Sequence, residues 1–245
     1  MSDLNNCFRI ATDDDIEKIH CWLVSQSQRD VYGTFLCNWS WITKAHEEGD
    51  VIVCIEKNQP IAYLLADFAI LEVREEYRGR GVGRSLVAYG LDQARNLNFY
   101  CISGICAPET SISFWRAMGF EFFNKSHNTF AYLMIEKDLP LPKGGELVKV
   151  DISFYPESKR RETETKALKV FSPHAIRAAD GVIHLGARVA IFLECSIWDE
   201  DPVVGICIDG VEVYLEKAKY PEASELGVQL YGETCFIERL TWQSS

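Results

Sequence analysis

Arg78-Gly79-Arg80-Gly81-Val82-Gly83 lies between an apolar run, Phe68 to Val73, and a run with helical spacing that starts at Gly83. A strand, a glycine-rich turn and a helix start, in that order, make a cradle for an anion. Glycines at 79, 81 and 83 let the main chain approach a ligand without a Cβ in the way. The first N–H groups of the helix point into the turn, where the helix dipole adds positive potential. The spacing lacks the Lys-Ser or Lys-Thr that follows the last glycine of a P-loop, and it is not the Gly-x-Gly-x-x-Gly of dinucleotide folds. An anion is expected there, but neither common nucleotide pattern accounts for it.

Working outward, Phe8-Arg9-Ile10-Ala11-Thr12-Asp13-Asp14-Asp15-Ile16 looks like an opening strand that runs into a capped helix. Thr12 or Asp13 suits the N-cap of a helix with acids in its first turn, on which Ile16, Ile19, His20 and Leu23 share one face. A second helical region, rich in aromatics at Tyr32, Phe35, Trp39 and Trp41, precedes strand-like runs at Val51 to Ile55 and Ile61 to Leu65, with a turn at Asn58-Gln59-Pro60 between them. Val87, Leu91 and Ala94 mark the helix after the glycine turn. Phe99 to Cys106 follows as a strand. Ser113 to Phe120 reads as a helix end, with Gly119 suited to a left-handed stop, and Phe120 to Phe123 and Thr129 to Ile135 close the series.

This order, over residues 8 to 138, resembles the GNAT family of N-acetyltransferases. Arg78, Gly81 and Gly83 match the family's Arg/Gln-x-x-Gly-x-Gly/Ala signature, Glu72-Val73-Arg74-Glu75-Glu76-Tyr77 looks like its fourth strand and turn, and Ser113-Phe114-Trp115-Arg116-Ala117-Met118-Gly119-Phe120 is similar to its Phe-Tyr-x-x-x-Gly-Phe helix end. The resemblance implies an α/β fold with a mixed sheet and an acetyl-CoA-dependent N-acetyltransferase, whose acceptor is the amine of a small molecule or a protein. It implies that Arg78, Gly81 and Gly83 hold the pyrophosphate of acetyl-CoA. Val73, Arg74, Gly79, Arg80, Val82, Arg84 and Trp115 complete the expected coenzyme site.

Amine acetylation needs a positioned coenzyme, a neutral amine and a polarised thioester carbonyl. A nearby carboxylate can take the amine proton directly or through water. Glu72 is the first candidate, because it adjoins Val73, whose backbone N–H polarises the thioester if the resemblance holds. Glu109, at the end of the fifth strand, is the second. Against Glu72 stands the alternation of a strand, which would turn it away from the cleft as a solvated residue. Tyr77 and Arg80 likewise read as a turn aromatic and a solvated charge, or as supports of the phosphate site. Two residues depart from the family. Trp115 stands where a tyrosine usually protonates the departing thiolate, and an indole N–H is not a useful acid; Pro108 replaces a common asparagine. Either the thiolate leaves through water or another side chain, or the domain binds the coenzyme without turnover and serves as a regulatory or scaffolding protein. Cys106 has no histidine nearby and no helix N-terminus before Thr110, so a buried structural thiol is favoured over a nucleophile.

At 245 residues the chain is longer than the about 150 that one such fold needs. The expected organisation is an acetyl-CoA-binding domain over 1–138, a linker over 139–145 in the Pro- and Gly-rich Leu139-Pro140-Leu141-Pro142-Lys143-Gly144-Gly145, and a mostly-β sandwich or barrel over 146–245. In that half Val148, Val150, Ile152 and Phe154 alternate with polar residues, Val182 to Phe192 is a long half-buried run, and Asp209-Gly210 is a hairpin turn. Its role stays open among acceptor recognition, homodimer formation, capping of the cleft, and interactions that are the chain's main business. Trp198-Asp199-Glu200-Asp201 reads as a sugar or calcium contact, or more simply as a core Trp before an acidic turn; Glu157 to Lys166 reads as a solvated run of mixed charge.

The net charge of −11, with both halves acidic, argues against nucleic acid and mildly favours a cationic acceptor. No apolar run reaches the length of a membrane span and the first residues lack a signal-peptide pattern, so no membrane association is expected. Nine irregularly spaced cysteines suggest reduced thiols and the cytoplasm, and five scattered histidines make no metal-ligand spacing.

Overall fold

The computed structural model describes residues 7–29, 34–122, 129–157, 166–193 and 201–242. Tyr32, Cys195, residues 158–165 of the charged run and Trp198-Asp199-Glu200 lie outside them. Two compact units divide the chain, Met1–Ile135 and Glu136–Ser245.

The first unit runs β1 (Phe8–Ile10), α1 (Asp13–Ser27), a 3-10 turn (Phe35–Asn38), α2 (Trp39–Glu47), β2 (Val51–Glu56), β3 (Gln59–Leu65) and β4 (Leu71–Val73). After a 3-10 turn (Glu75–Tyr77) come α3 (Val82–Asn96), β5 (Cys101–Ile105), a 3-10 turn (Glu109–Ser111), α4 (Ile112–Ala117), β6 (Glu121–Phe122) and β7 (Phe130–Met134). The apolar runs of β2 and β3 are continuous because both faces of their sheet are covered. Val51, Val53, Tyr63 and Leu65 join Ile16, Ile19, Trp22 and Leu23 of α1 and Ile42 of α2 in one core. Their neighbours Ile52, Cys54, Ala62 and Leu64 join Leu86, Val87, Leu91 and Ala94 of α3 in the other. Gly90 lets α3 settle onto β3, since a Cβ there would fall 2.6 Å from Leu64 Cδ2.

The expected mixed sheet is divided. Strands β1-β2-β3-β4 form one sheet and β5-β7-β6 another; every pairing is antiparallel, and no pairing among the described residues joins β4 to β5. Both strands are therefore edges, and a cleft lies between them. Gly119, with φ of 93°, ends α4 in the left-handed conformation its position suggested.

The second unit contains β8 (Glu146–Tyr155), β9 (Lys169–Phe171), β10 (His174–Arg177), β11 (Val182–Phe192), β12 (Val203–Ile208), β13 (Val211–Lys217), α5 (Pro221–Leu226), β14 (Gln229–Tyr231) and β15 (Thr234–Thr241). One curled antiparallel sheet, in the order β13-β12-β8-β10-β11-β15-β14 with β9 also on β8, makes a half-barrel of the mostly-β part for which a sandwich or barrel was expected. Two long strands account for this. β8 pairs with β10 over 146–149 and with β12 over 150–155, and β11 changes register between His184 and Val189, so the sheet bends on itself without closing. Val148, Val150, Ile152 and Phe154 are buried as their alternation required. Asp209 and Gly210 take the positive φ values, 52° and 82°, of a tight hairpin. Lys137 and Leu139 are hydrogen-bonded to β11, Arg188 N donating to Lys137 O at 2.9 Å and Leu139 N to Gly186 O at 2.9 Å. No helix of the described residues is long and apolar enough to cross a membrane.

Thr12 caps α1 through a reciprocal pair: Asp15 N donates to Thr12 Oγ1 at 3.4 Å, and Thr12 N to Asp15 Oδ2 at 2.8 Å. Arg9 of β1 adds an ion pair to the same carboxylate at 2.5 Å, tying strand to helix. Burial alone would raise the Asp15 carboxyl, but the Arg9 guanidinium and the Thr12 amide and hydroxyl outweigh it and hold it at about 2. Asp15→Asn is expected to lower stability by about 1–3 kcal/mol near neutral pH. A carboxyl held low stabilises the fold above its unfolded value of about 3.9 and loses that effect as pH falls through its folded one. The deficit of the variant should therefore shrink below about pH 4, which urea unfolding across pH measures.

Candidate active site

The turn after β4 is built on backbone conformations that glycine permits. Arg78 N closes the 3-10 turn onto Glu75 O at 3.1 Å, and then Gly79 (φ 72°) and Gly81 (φ 84°) take left-handed dihedrals. A Cβ at either would meet nothing within 4 Å, so the dihedral and not the space demands glycine there. Gly81 is the N-cap of α3, which begins at Val82, one residue before the expected start. Gly83 is different: a Cβ there would lie 3.4 Å from Val73 Cγ2 and 3.7 Å from the Phe114 ring, ordinary contact distances, so neither space nor dihedral demands glycine. Ser85 N makes the first hydrogen bond to the helix end, to Gly81 O at 3.0 Å. The amides from Gly79 to Arg84 have no backbone acceptor among the described residues, leaving a row of donors at the positive end of α3.

That row opens on a cleft of about 940 Å³. Leu71 to Val73 of β4 and Ile102 to Ile105 of β5 form opposite walls. Arg74 N donates to Ile61 O and Leu65 N to Ile70 O, so the alternation of an antiparallel pair turns the main-chain groups of Leu71 and Val73 to the free edge. By the same alternation, Cys106 N on Thr129 O and Ile135 N on Tyr100 O leave Ser103 and Ile105 at the free edge of β5. Two unpaired strand edges thus border the same cleft as the row of amides.

Glu72 lines this cleft and is only 7% exposed, which removes the solvated reading. It stands opposite Tyr63 in the β3–β4 register, on the other face from Val73, and still reaches the cleft because β4 is an edge. Arg78 Nη2 donates to Glu72 Oε1 at 2.7 Å while its Nε donates to Val73 O at 3.0 Å. Burial raises the Glu72 carboxyl above its ordinary value; Arg78 and the Val73 amide pull the other way without cancelling it. A carboxylate in this condition is suited to accept a proton.

Val73, Arg78, Gly79, Gly81, Val82, Gly83 and Arg84 all line the cleft, as does Trp115, which is 9% exposed and packed edge-on against Phe114 and Phe120 at 5.2 and 5.0 Å. Cys106 also lines it, buried, its thiol pushed up to about 11 by burial and so a poor nucleophile. Three expected residues are not brought in. Arg74 points away: its Nε donates to Pro60 O at 2.8 Å, its guanidinium lies 4.8 Å from the Trp22 ring centroid, and its amide is used by β3. Glu109 is exposed at the start of its 3-10 turn and lies outside the lining, although Pro108, Thr110 and Ser111 belong to it. Arg80 is exposed, 5.3 Å from the Tyr77 ring centroid. Two residues went unforeseen. Phe35 joins the lining from the aromatic region before α2, and Tyr63 meets Glu72 through strand register, which no local pattern discloses.

Residues 14–120, within the first unit, match the model of the Acetyltransferase (GNAT) family. No curated protein matches the chain. Among solved structures it is similar to Ard1 from Thermoplasma volcanium, at 18% identity over 52% of this chain and 96% of that one, with a TM-score of 0.40. The ribosomal-protein-alanine N-acetyltransferase from Brucella melitensis matches at 18% identity over 52% and 98%, also with a TM-score of 0.40. The PaiA N-acetyltransferase from Thermoplasma acidophilum, solved in complex with coenzyme A, matches at 12% over 52% and 97%, TM-score 0.40.

The turn's two kinds of glycine should respond differently to substitution. Gly81→Ala is expected to cost about 1 kcal/mol, since its dihedral is strained for any L side chain. Gly83→Ala, at helical dihedrals with room for a methyl, should stay within about half a kcal/mol of wild type. Urea unfolding of both variants makes the comparison.

Proposed function

We propose that the first unit binds acetyl-CoA and transfers its acetyl group to the amine of a small molecule or a protein. The observation that carries this reading is the convergence, on one cleft, of Gly79 and Gly81 to Arg84, whose amides have no backbone acceptor among the described residues, two free strand edges and the buried Glu72. The family match over 14–120 supports acetyl transfer. The amides and the positive end of α3 fit a diphosphate, with Arg78 and Arg84 beside it. The free edge of β4 fits an extended arm that carries amides, as pantetheine does.

On this reading Glu72 takes a proton from the acceptor ammonium, directly or through water, and frees the nitrogen lone pair to attack the thioester carbon. The Val73 N–H, turned to the free edge, donates to the carbonyl oxygen as negative charge develops there. The attacking nitrogen then gives its second proton to water, the C–S bond breaks, and the departing sulfur takes a proton from water, because Trp115 offers no useful acid. Glu72 returns its proton to solvent. The described cysteines, none of them in a disulfide, support a reducing cytoplasmic setting.

Calorimetry with acetyl-CoA, followed by a free-thiol release assay over a panel of amines, tests the proposal; binding without thiol release favours a coenzyme-binding regulatory protein, and no binding overturns the site. Gly81→Glu should weaken acetyl-CoA binding at least about a hundredfold, because a side chain and a negative charge enter the diphosphate space. Circular dichroism should show it folded. Glu72→Gln should lower turnover about 10²–10⁴-fold near neutral pH at saturating coenzyme. The deficit should narrow at high pH, where amines lose their protons unaided, and a pH–rate profile of both proteins reads this directly.

A further inference from the structure

Tyr63 is fully buried, at 0% exposure, and its phenol oxygen has no hydrogen-bond partner among the described residues. Such a group is costly in a core and calls for an explanation. Its ring packs edge-on against Trp22 at 5.7 Å. Directly opposite in the β3–β4 register stands Glu72, so the two side chains leave the same face of the sheet. Burial first, and then the Glu72 charge, push the phenol above its ordinary value, which places the two groups within electrostatic reach. A carboxylate able to accept from this hydroxyl thus stands opposite it on the neighbouring strand, engaged elsewhere.

Arg78 is what holds it. From the first position of the phosphate turn, one guanidinium grips Glu72 Oε1 at 2.7 Å and Val73 O at 3.0 Å. Both attractions compete with a coenzyme. Val73 O lies on the free edge that an extended arm would follow, and the guanidinium is half-exposed beside amides that suit a diphosphate. A ligand there would draw the arginine from the carboxylate.

We propose that Tyr63 is a positioning residue for Glu72: when a diphosphate ligand draws Arg78 away, the Tyr63 hydroxyl donates to the Glu72 carboxylate and fixes it in the cleft. This rests on reading the cleft as a coenzyme site. Glu72 is then passed from one donor to another, and occupancy of the phosphate turn is coupled to the placement of the base. Tyr63 itself does not line the cleft and is not a catalytic residue.

The coupling can be read on coenzyme A alone, titrated calorimetrically into wild type, Tyr63→Phe, Glu72→Ala and the double variant. Tyr63→Phe should leave the melting temperature of the ligand-free protein unchanged or raised, because the lost hydroxyl had no partner. It should weaken coenzyme A binding about tenfold in the wild-type background and less than about twofold in Glu72→Ala. A hydroxyl with a merely structural role would lower the ligand-free melting temperature and act alike in both backgrounds. Equal affinity of Tyr63→Phe and wild type, or equal losses in the two backgrounds, would overturn the inference while leaving the coenzyme site standing; no binding by wild type would overturn both. Should Tyr63→Phe fail to fold, Arg78→Ala decides instead. The Tyr63 ring-carbon resonance should move on adding coenzyme A to wild type and reach the same position in ligand-free Arg78→Ala, and a resonance unmoved in both refutes the exchange.

Discussion

β4 and β5 are neighbours across a cleft that do not pair, and this constraint organises the first unit. A strand edge carries amides and carbonyls that need partners, and proteins normally cover such edges or keep them short. Here Leu71 and Val73 face Ser103 and Ile105 across the opening, with helices α3 and α4 closing around them. The rest of the site follows from that splay. Glu72, which would be sealed between strands in a continuous sheet, reaches the cleft because its strand is an edge.

Electrostatics act on the same element. The donors of the turn and the positive end of α3 create a site that favours negative charge, while Arg78 turns back from that site to neutralise Glu72. An acid buried to this degree would otherwise bind its proton more tightly still. The guanidinium therefore links an anion site to a proton acceptor a few residues away, and Tyr63, opposite that acceptor in the strand register, carries a hydroxyl without a partner among the described residues. Charge placement of this kind needs no moving loop. One side chain with two competing partners is enough.

The second unit solves a different problem, that of burying one face of a single sheet. Its strands alternate, β8 most clearly, and the bend in β8 together with the register change in β11 curls the sheet over its own apolar face. A sandwich would need two sheets and a barrel would need its ends to meet. In this sheet β13 and β14 end the order instead.

The amino-acid sequence by itself determined the features that depend on a few adjacent residues. The glycine turn, the Thr12 cap, the Gly119 stop and the Asp209-Gly210 hairpin were legible because each is a local conformational demand. The continuous runs of β2 and β3 against the alternation of β8 likewise announce two covered faces against one. Tertiary structure alone decided which side chains meet. Glu72 was the first candidate along the chain and Glu109 the second, but only the fold shows that one is buried in the cleft and the other faces solvent. Arg74 and Arg78 both follow β4 within a few residues, yet strand direction sends one to Trp22 and the turn returns the other to Glu72. The division of the sheet and the partnership of Tyr63 with Glu72 depend on register and on strands far apart in the chain, and a local pattern carries no information about how distant segments are aligned.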